Sequence, residues 1–171
     1  MSYFNQFGTI LYDPAGDGSA KLCTDIMSRV RIRASMKKEI VMLDTYAVKE
    51  NETPEIVADK HHGSVYYHWV VMLLNDISDV NHDWVKSTRQ MQKYLLSKYT
   101  EIQLTETHHF EISQTSGDTT TKIEVENSTY PSASIVTNYE YEVALNESKR
   151  EIDLLQNEYL TFFVDEFQSS I

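Results

Sequence analysis

The chain has 171 residues, a single cysteine and a formal net charge of −11 at pH 7, which suggests one domain or two small ones and excludes an internal disulfide. The charge is uneven: residues 1–100 hold twelve Lys and Arg against twelve Asp and Glu, whereas residues 101–171 hold three against fourteen. An acidic C-terminal third of this kind repels phosphates, which argues against a nucleic-acid partner and favours a solvated face or a basic protein.

Residues 1–12 alternate aromatic and polar positions, with Tyr3, Phe4, Phe7, Ile10 and Tyr12, and predict an extended arm or edge strand. The same stretch has neither a basic n-region nor an apolar h-region, so a signal peptide is not expected, and the longest apolar run, 69–74, is far too short to span a membrane. Asp13-Pro14-Ala15-Gly16-Asp17-Gly18-Ser19 is turn by composition. Cys23 is expected to be a buried structural residue rather than a catalytic thiol. Thr24 offers an N-cap to a helix running to about residue 38. Five basic residues fall within 29–38, among them Arg29, Arg31 and Arg33. They lack interleaved aromatics or glycines and read as a protein–protein patch.

Residues 39–50 are β-rich. Thr53, Pro54 and Glu55 then supply an N-cap, a proline at the first helical position and an early carboxylate, predicting a helix over 54–61 with Gly63 as its left-handed cap. A second helix follows over 64–75. A loop leads to Ser87-Thr88-Arg89-Gln90, a capping box opening a helix to about Tyr99. Residues 105–113 and 120–126 alternate around a turn and predict a β-hairpin. Residues 128–136 are expected to be loop and 138–149 a helix. A short strand over 150–155 and a final amphipathic helix over 157–168, with Leu160, Phe163, Val164 and Phe167 along one side, end the chain. The class is α+β, divided into 1–38 (arm and helix), 39–100 (core plus capping helix) and 101–171 (acidic hairpin and helical segment). The expected core is Tyr46, Ile56, Ala58, Trp69, Val70, Met72, Leu73, Asn75 and Trp84.

The six histidines are the obvious chemical candidates, but zinc wants ligands on one helix face, typically at i and i+4. His61 and His62 are adjacent, His68 lies beyond Gly63, and His108 and His109 fall in a strand, where neighbours face opposite sides. No G-x-S-x-G, phosphate-binding glycine loop or calcium loop can be drawn from five glycines. The expectation is a non-enzyme with no metal and no cofactor.

A resemblance enters over residues 46–99. Its order is Tyr46-x-Val48, an acidic turn with Glu52-Thr53-Pro54-Glu55, Ala58-x-Lys60, His62-Gly63, Trp69-Val70-Val71 with Asn75, then Asp83-Trp84 and a helix ending Lys98-Tyr99. This resembles the baseplate wedge protein of T4-type contractile-tailed bacteriophages, whose core looks like a LysM module. The opening Tyr3–Tyr12, Thr24–Val30 and the C-terminal 136–167 resemble the same family. Two departures stand out: Val80 and Val85 replace the prolines usual in relatives, and the turn before Thr53 lacks the glycine found beside LysM sugar grooves.

The resemblance implies a small LysM-like βααβ core at about 40–78, with an added helix, a β-hairpin, a C-terminal helix–strand–helix segment and an extended N-terminal arm. It implies a virion tail location after assembly in the host cytoplasm. The implied partners are other baseplate wedge proteins in a hexagonal plate, with no nucleic acid and no membrane. The residues expected to meet those partners are Tyr3, Phe4, Phe7, Arg29, Arg31, Arg33, Phe163 and Phe167. The alternative is a LysM-type peptidoglycan- or carbohydrate-binding module.

Overall fold

Local signals act where the sequence places them. In a computed structural model describing residues 3–27, 42–115, 117 and 120–169, helix α1 (Pro54–His62) starts on Thr53, whose side chain accepts from the Ile56 amide, and stops at Gly63 with φ 71°. Only glycine holds that left-handed conformation at no steric cost. The described residues are mixed α and β. They form two compact units, 1–84 with 151–171, and 85–150.

In the first unit, residues Tyr3–Gln6 make a 3-10 turn, and β1 (Thr9–Tyr12) pairs antiparallel with β2 (Lys21–Thr24). Residues 3–12 are therefore a short helical turn followed by a strand at a sheet edge: the expected edge strand is present at Thr9–Tyr12, while Tyr3–Gln6 are helical instead of extended. Thr24 ends β2 instead of capping a helix, and most of the helix expected to reach residue 38, with Arg29, Arg31 and Arg33, lies outside the described residues. Cys23 faces solvent on β2, where its cross-strand partner is Ile10. A two-stranded hairpin has no third layer beneath which to bury it.

Strand β3 (Leu43–Ala47) leads through a tight turn into α1, with Asn51 at φ 64°, a conformation that asparagine tolerates better than most residues. The second expected helix is split into a 3-10 turn, Val65–Tyr67, and α2 (His68–Leu74), with α3 (Val80–Asp83) a single turn beyond. Among the described residues, the strand that pairs with β3 does not lie within 40–78. It is β7 (Glu151–Leu155), which pairs antiparallel with β3 from Leu43↔Leu155 to Ala47↔Glu151. Asn75 clamps it: its side-chain amide donates to the Asp153 carbonyl at 2.8 Å and accepts from the Asp153 amide at 2.9 Å. One asparagine side chain thus copies a strand's donor and acceptor at the end of α2.

The final helix, α7 (Asn157–Ser169), buries Leu160, Phe163, Val164 and Phe167, at i, i+3, i+4 and i+7. They join Phe7, Trp69, Val70, Leu74 and Leu155 in one cluster, with Tyr3 packed against it. Phe163 and Phe167 are each 4% exposed. Their expected role at a partner surface is overturned, because the apolar stripe of α7 is used up covering α2. Phe7 is buried for the same reason, while Phe4 stays exposed.

The second unit holds α4 (Thr88–Lys98), α5 (Glu101–Leu104), α6 (Asn138–Glu147) and a three-stranded sheet, β4 (Thr107–Ser113) between β5 (Lys122–Val125) and β6 (Ser134–Thr137). The expected hairpin is β4–β5, in register Phe110↔Val125. Residues 134–136, expected to be loop, instead form most of β6 on the other edge of β4, with a register shift between Thr107 and His109. Three reciprocal capping boxes start its helices: Ser87 with Gln90, Thr100 with Gln103, and Thr137 with Glu140. Each satisfies backbone N–H groups that a helix start leaves unpaired. Val85, Met91 and Leu95 are buried here, and Asn146 exchanges two hydrogen bonds with the backbone of Lys86 at 2.8 and 3.0 Å.

Candidate functional site

Four of the histidines are occupied by structural bonds. His61 Nε2 donates to the Leu155 carbonyl at 3.0 Å, and His62 Nδ1 donates to the Asn157 side-chain oxygen at 2.8 Å. The Asn157 amide donates back to the His61 carbonyl at 2.7 Å, so the C-terminus of α1 is stapled to the junction of β7 and α7. These donor roles follow from what each nitrogen faces: a carbonyl and an amide oxygen can only accept. His68 Nδ1 donates to Val65 at 2.9 Å within its own turn. His82 pairs with Asp79 at 2.6 Å. His108 lies flat on Tyr141, with ring centroids 3.8 Å apart, and its Nδ1 is 2.8 Å from that of His109. Those two rings border an open concavity of about 570 Å³, lined also by Phe110, Glu124, Val125 and Glu126. Among the described residues no three His, Cys, Asp or Glu side chains are grouped to hold a metal ion.

The His62 bond has a pH consequence. With Nδ1 donating, Nε2 must be the bare nitrogen, and it is buried without a hydrogen-bond partner. Burial, with the nearby His61 charge adding to it and the Asn157 bond opposing it, holds the His62 pKa below its ordinary 6.5. The unfolded chain therefore takes up the proton more readily, and stability falls as pH drops below about 6.5. Thermal melts from pH 7.5 to 5 should show this limb, and His62→Gln, which keeps a donor for Asn157, should flatten it. An unchanged limb in the variant would assign the titration elsewhere.

Two buried carboxylates anchor one unit each. Glu52 accepts from the Tyr46 hydroxyl at 2.9 Å, the Lys49 amide at 2.8 Å and Lys60 at 2.5 Å, while its carbonyl accepts from the buried Trp84 Nε1 at 2.8 Å. Burial works to raise this carboxyl, but the bonds from Lys60, Lys49 and Tyr46 outweigh it and hold it below its ordinary value. In the second unit, Glu142 accepts from Lys98 at 2.5 Å and Tyr99 at 3.0 Å, joining α4 to α6. Burial and these bonds again oppose each other, and the bonds from Lys98 and Tyr99 leave Glu142 lowered. The Glu142 bond raises Lys98 well above the usual lysine range. Each network thus pairs its buried carboxylate with a lysine and a tyrosine hydroxyl.

Of the expected core, Ala58, Trp69, Val70 and Trp84 are buried and Tyr46, Met72, Leu73 and Asn75 half-buried. Ile56 is 40% exposed, because the inward positions of α1 are Pro54, Val57 and Ala58. Val48, Val57 and Val71, each 1% exposed, lie outside the expected core; their places beside Ala58, Val70 and Tyr46 are the sequence signal for them. The burial of the carboxylates Glu52 and Glu142 has no signal in the sequence. A lone glutamate on a helix or turn gives no sign of burial until its lysine arrives from another element.

The family model described as Base plate wedge protein 53 matches residues 20–131, about two thirds of the chain. This chain belongs to that family. No curated protein matches it. The matched stretch takes in β2, β3, α1 to α5, β4 and β5, and thus parts of both compact units. Membership of the baseplate wedge family gives this chain a structural role in a phage tail baseplate, in association with other baseplate proteins. No helix among the described residues is long and apolar enough to cross a membrane.

Proposed function

We propose that this baseplate wedge chain joins neighbouring wedge subunits into a hexagonal plate as the tail assembles in the host cytoplasm. The observation that carries the reading is the family match over residues 20–131. The paired carboxylates Glu52 and Glu142 and the stapled histidines support a building block rather than a catalyst. In this reading β3–α1–α2–β7 is a LysM-like rigid block. Tyr3, Phe4 and the basic residues Arg29, Arg31 and Arg33 are assigned to partner contacts, and the acidic residues of 101–171 to electrostatic register.

The test is reconstitution. Wedges prepared from an infection lacking this chain are expected to sediment singly, and purified chain to restore ring-sized assemblies. Rings that form equally well without it would sink the proposal. Because the acidic surplus is exposed to salt, association is expected to weaken as ionic strength rises and the screening length contracts from about 10 Å at 0.1 M to about 3 Å at 1 M. Salt-independent association would remove the electrostatic part alone. Retention of the chain on purified peptidoglycan would favour glycan binding instead.

A further inference from the structure

The β1–β2 hairpin is exposed along both strands. Leu11 and Leu22 are cross-strand partners on one face, 73% and 68% exposed, and Ile26 and Met27 follow, also exposed. Isolated two-stranded hairpins are marginal in water, yet this one is built at both ends. At its root Phe7 is buried in the core, and the Asp25 amide donates to the Gly8 carbonyl at 2.8 Å. At its tip the Asp13 carboxylate accepts from the amides of Ala15, Gly16 and Gly18 at 3.2, 2.8 and 2.8 Å. The sheet contains only these two strands, so among the described residues each outer edge lacks a ladder partner.

We propose that this hairpin is a docking arm that adds an extended segment of another baseplate protein to its edge, with apolar side chains of that segment on Leu11 and Leu22 and basic ones beside the tip. Strand addition supplies main-chain hydrogen bonds, and alternate side chains supply specificity. The charge of the arm selects the occupant. Asp13, Asp17 and Asp25 stand against Lys21 alone, and the hydrogen bonds at Asp13 and Asp17 hold their carboxyls below the ordinary value, keeping them ionised. A second copy would bring the same acidic arm and a net charge of −11, which disfavours self-pairing. The proposal rests on the baseplate reading, which supplies partners other than the chain itself.

The experiment places a photoreactive phenylalanine analogue at Leu11 of the full chain, supplied to a phage lacking its own copy. Purified tails are irradiated and the cross-linked peptides identified by mass spectrometry. The expected product joins Leu11 to a segment of a different tail protein that is rich in Lys or Arg and alternates with apolar residues. Adding Leu22→Asp should lower its yield roughly ten-fold, as loss of a central apolar contact does, while the free chain melts as the parent does. A cross-link to a second copy, a cross-link to an acidic segment, or no intermolecular cross-link in tails that contain the chain would each overturn the docking arm. Tails that lack the chain altogether would overturn the baseplate reading itself.

Discussion

Trp69→Ala lowers the unfolding free energy of the first unit by about 3–5 kcal/mol, the range for truncating a large aromatic in a packed core. Trp69 is 4% exposed and its ring meets Tyr3, Phe163 and Phe167 at centroid distances of 5.8, 6.1 and 4.7 Å. Removing it opens a void between α2, α7 and the N-terminal turn, which three separate elements would have to fill together. That loss is a large part of the total stability of a domain this size, roughly 5–15 kcal/mol, so the variant is expected to be partly unfolded at 37 °C. Trp69→Phe separates packing from polarity. The indole Nε1 is buried without a hydrogen-bond partner, so its removal forfeits no bond, and the cost should be well under half that of alanine. Urea denaturation of the three proteins checks both statements. An alanine variant that melts like the parent would mean that α2 and α7 do not pack through this ring.

Glu52→Ala is the second large effect, about 2–3 kcal/mol, because it strands the Tyr46 hydroxyl and the Lys49 amide without their acceptor. The turn that holds Asn51 at φ 64° loses its tie, and with it the position from which the Glu52 carbonyl receives Trp84. The same group gives an acid limb of its own. Its folded pKa lies below the ordinary 4.5, so the unfolded chain binds the proton first. The stabilisation is complete above about 4.5 and is lost as pH falls below it, toward the lower folded value. Glu142 acts in the same direction in the second unit. Acid melts of Glu52→Gln should therefore lose only part of the limb below pH 4.5, the Glu142 part remaining. A variant with the parent's full limb would show that Glu52 is not the titrating group.

These effects differ in how far the sequence announced them. Trp69 was legible because the run 69–74 is apolar at helical spacing after a glycine stop. Pro54, Gly63 and the Ser87–Gln90 box were legible because caps act within four residues. The boxes at Thr100–Gln103 and Thr137–Glu140 carry the same signature and could have been read in the same way. Glu52 stands in an acidic turn of the sequence, but its burial depends on Lys60 and Trp84 arriving from elsewhere in the chain.

The sequence by itself determined the class, most helix starts, the β4–β5 hairpin and the absence of a recognisable catalytic motif, since each depends on neighbours within a turn or two. It also carried the family, through the ordered block 46–99. Tertiary structure alone decided that β7 closes the sheet with β3 across more than a hundred residues, because strand pairing is blind to sequence distance and Asn75 has no local mark of its role. It alone decided that Phe7, Phe163 and Phe167 fill a core instead of meeting partners. An amphipathic stripe states that something covers it, and only the packing of α7 on α2 says that the cover is the chain itself.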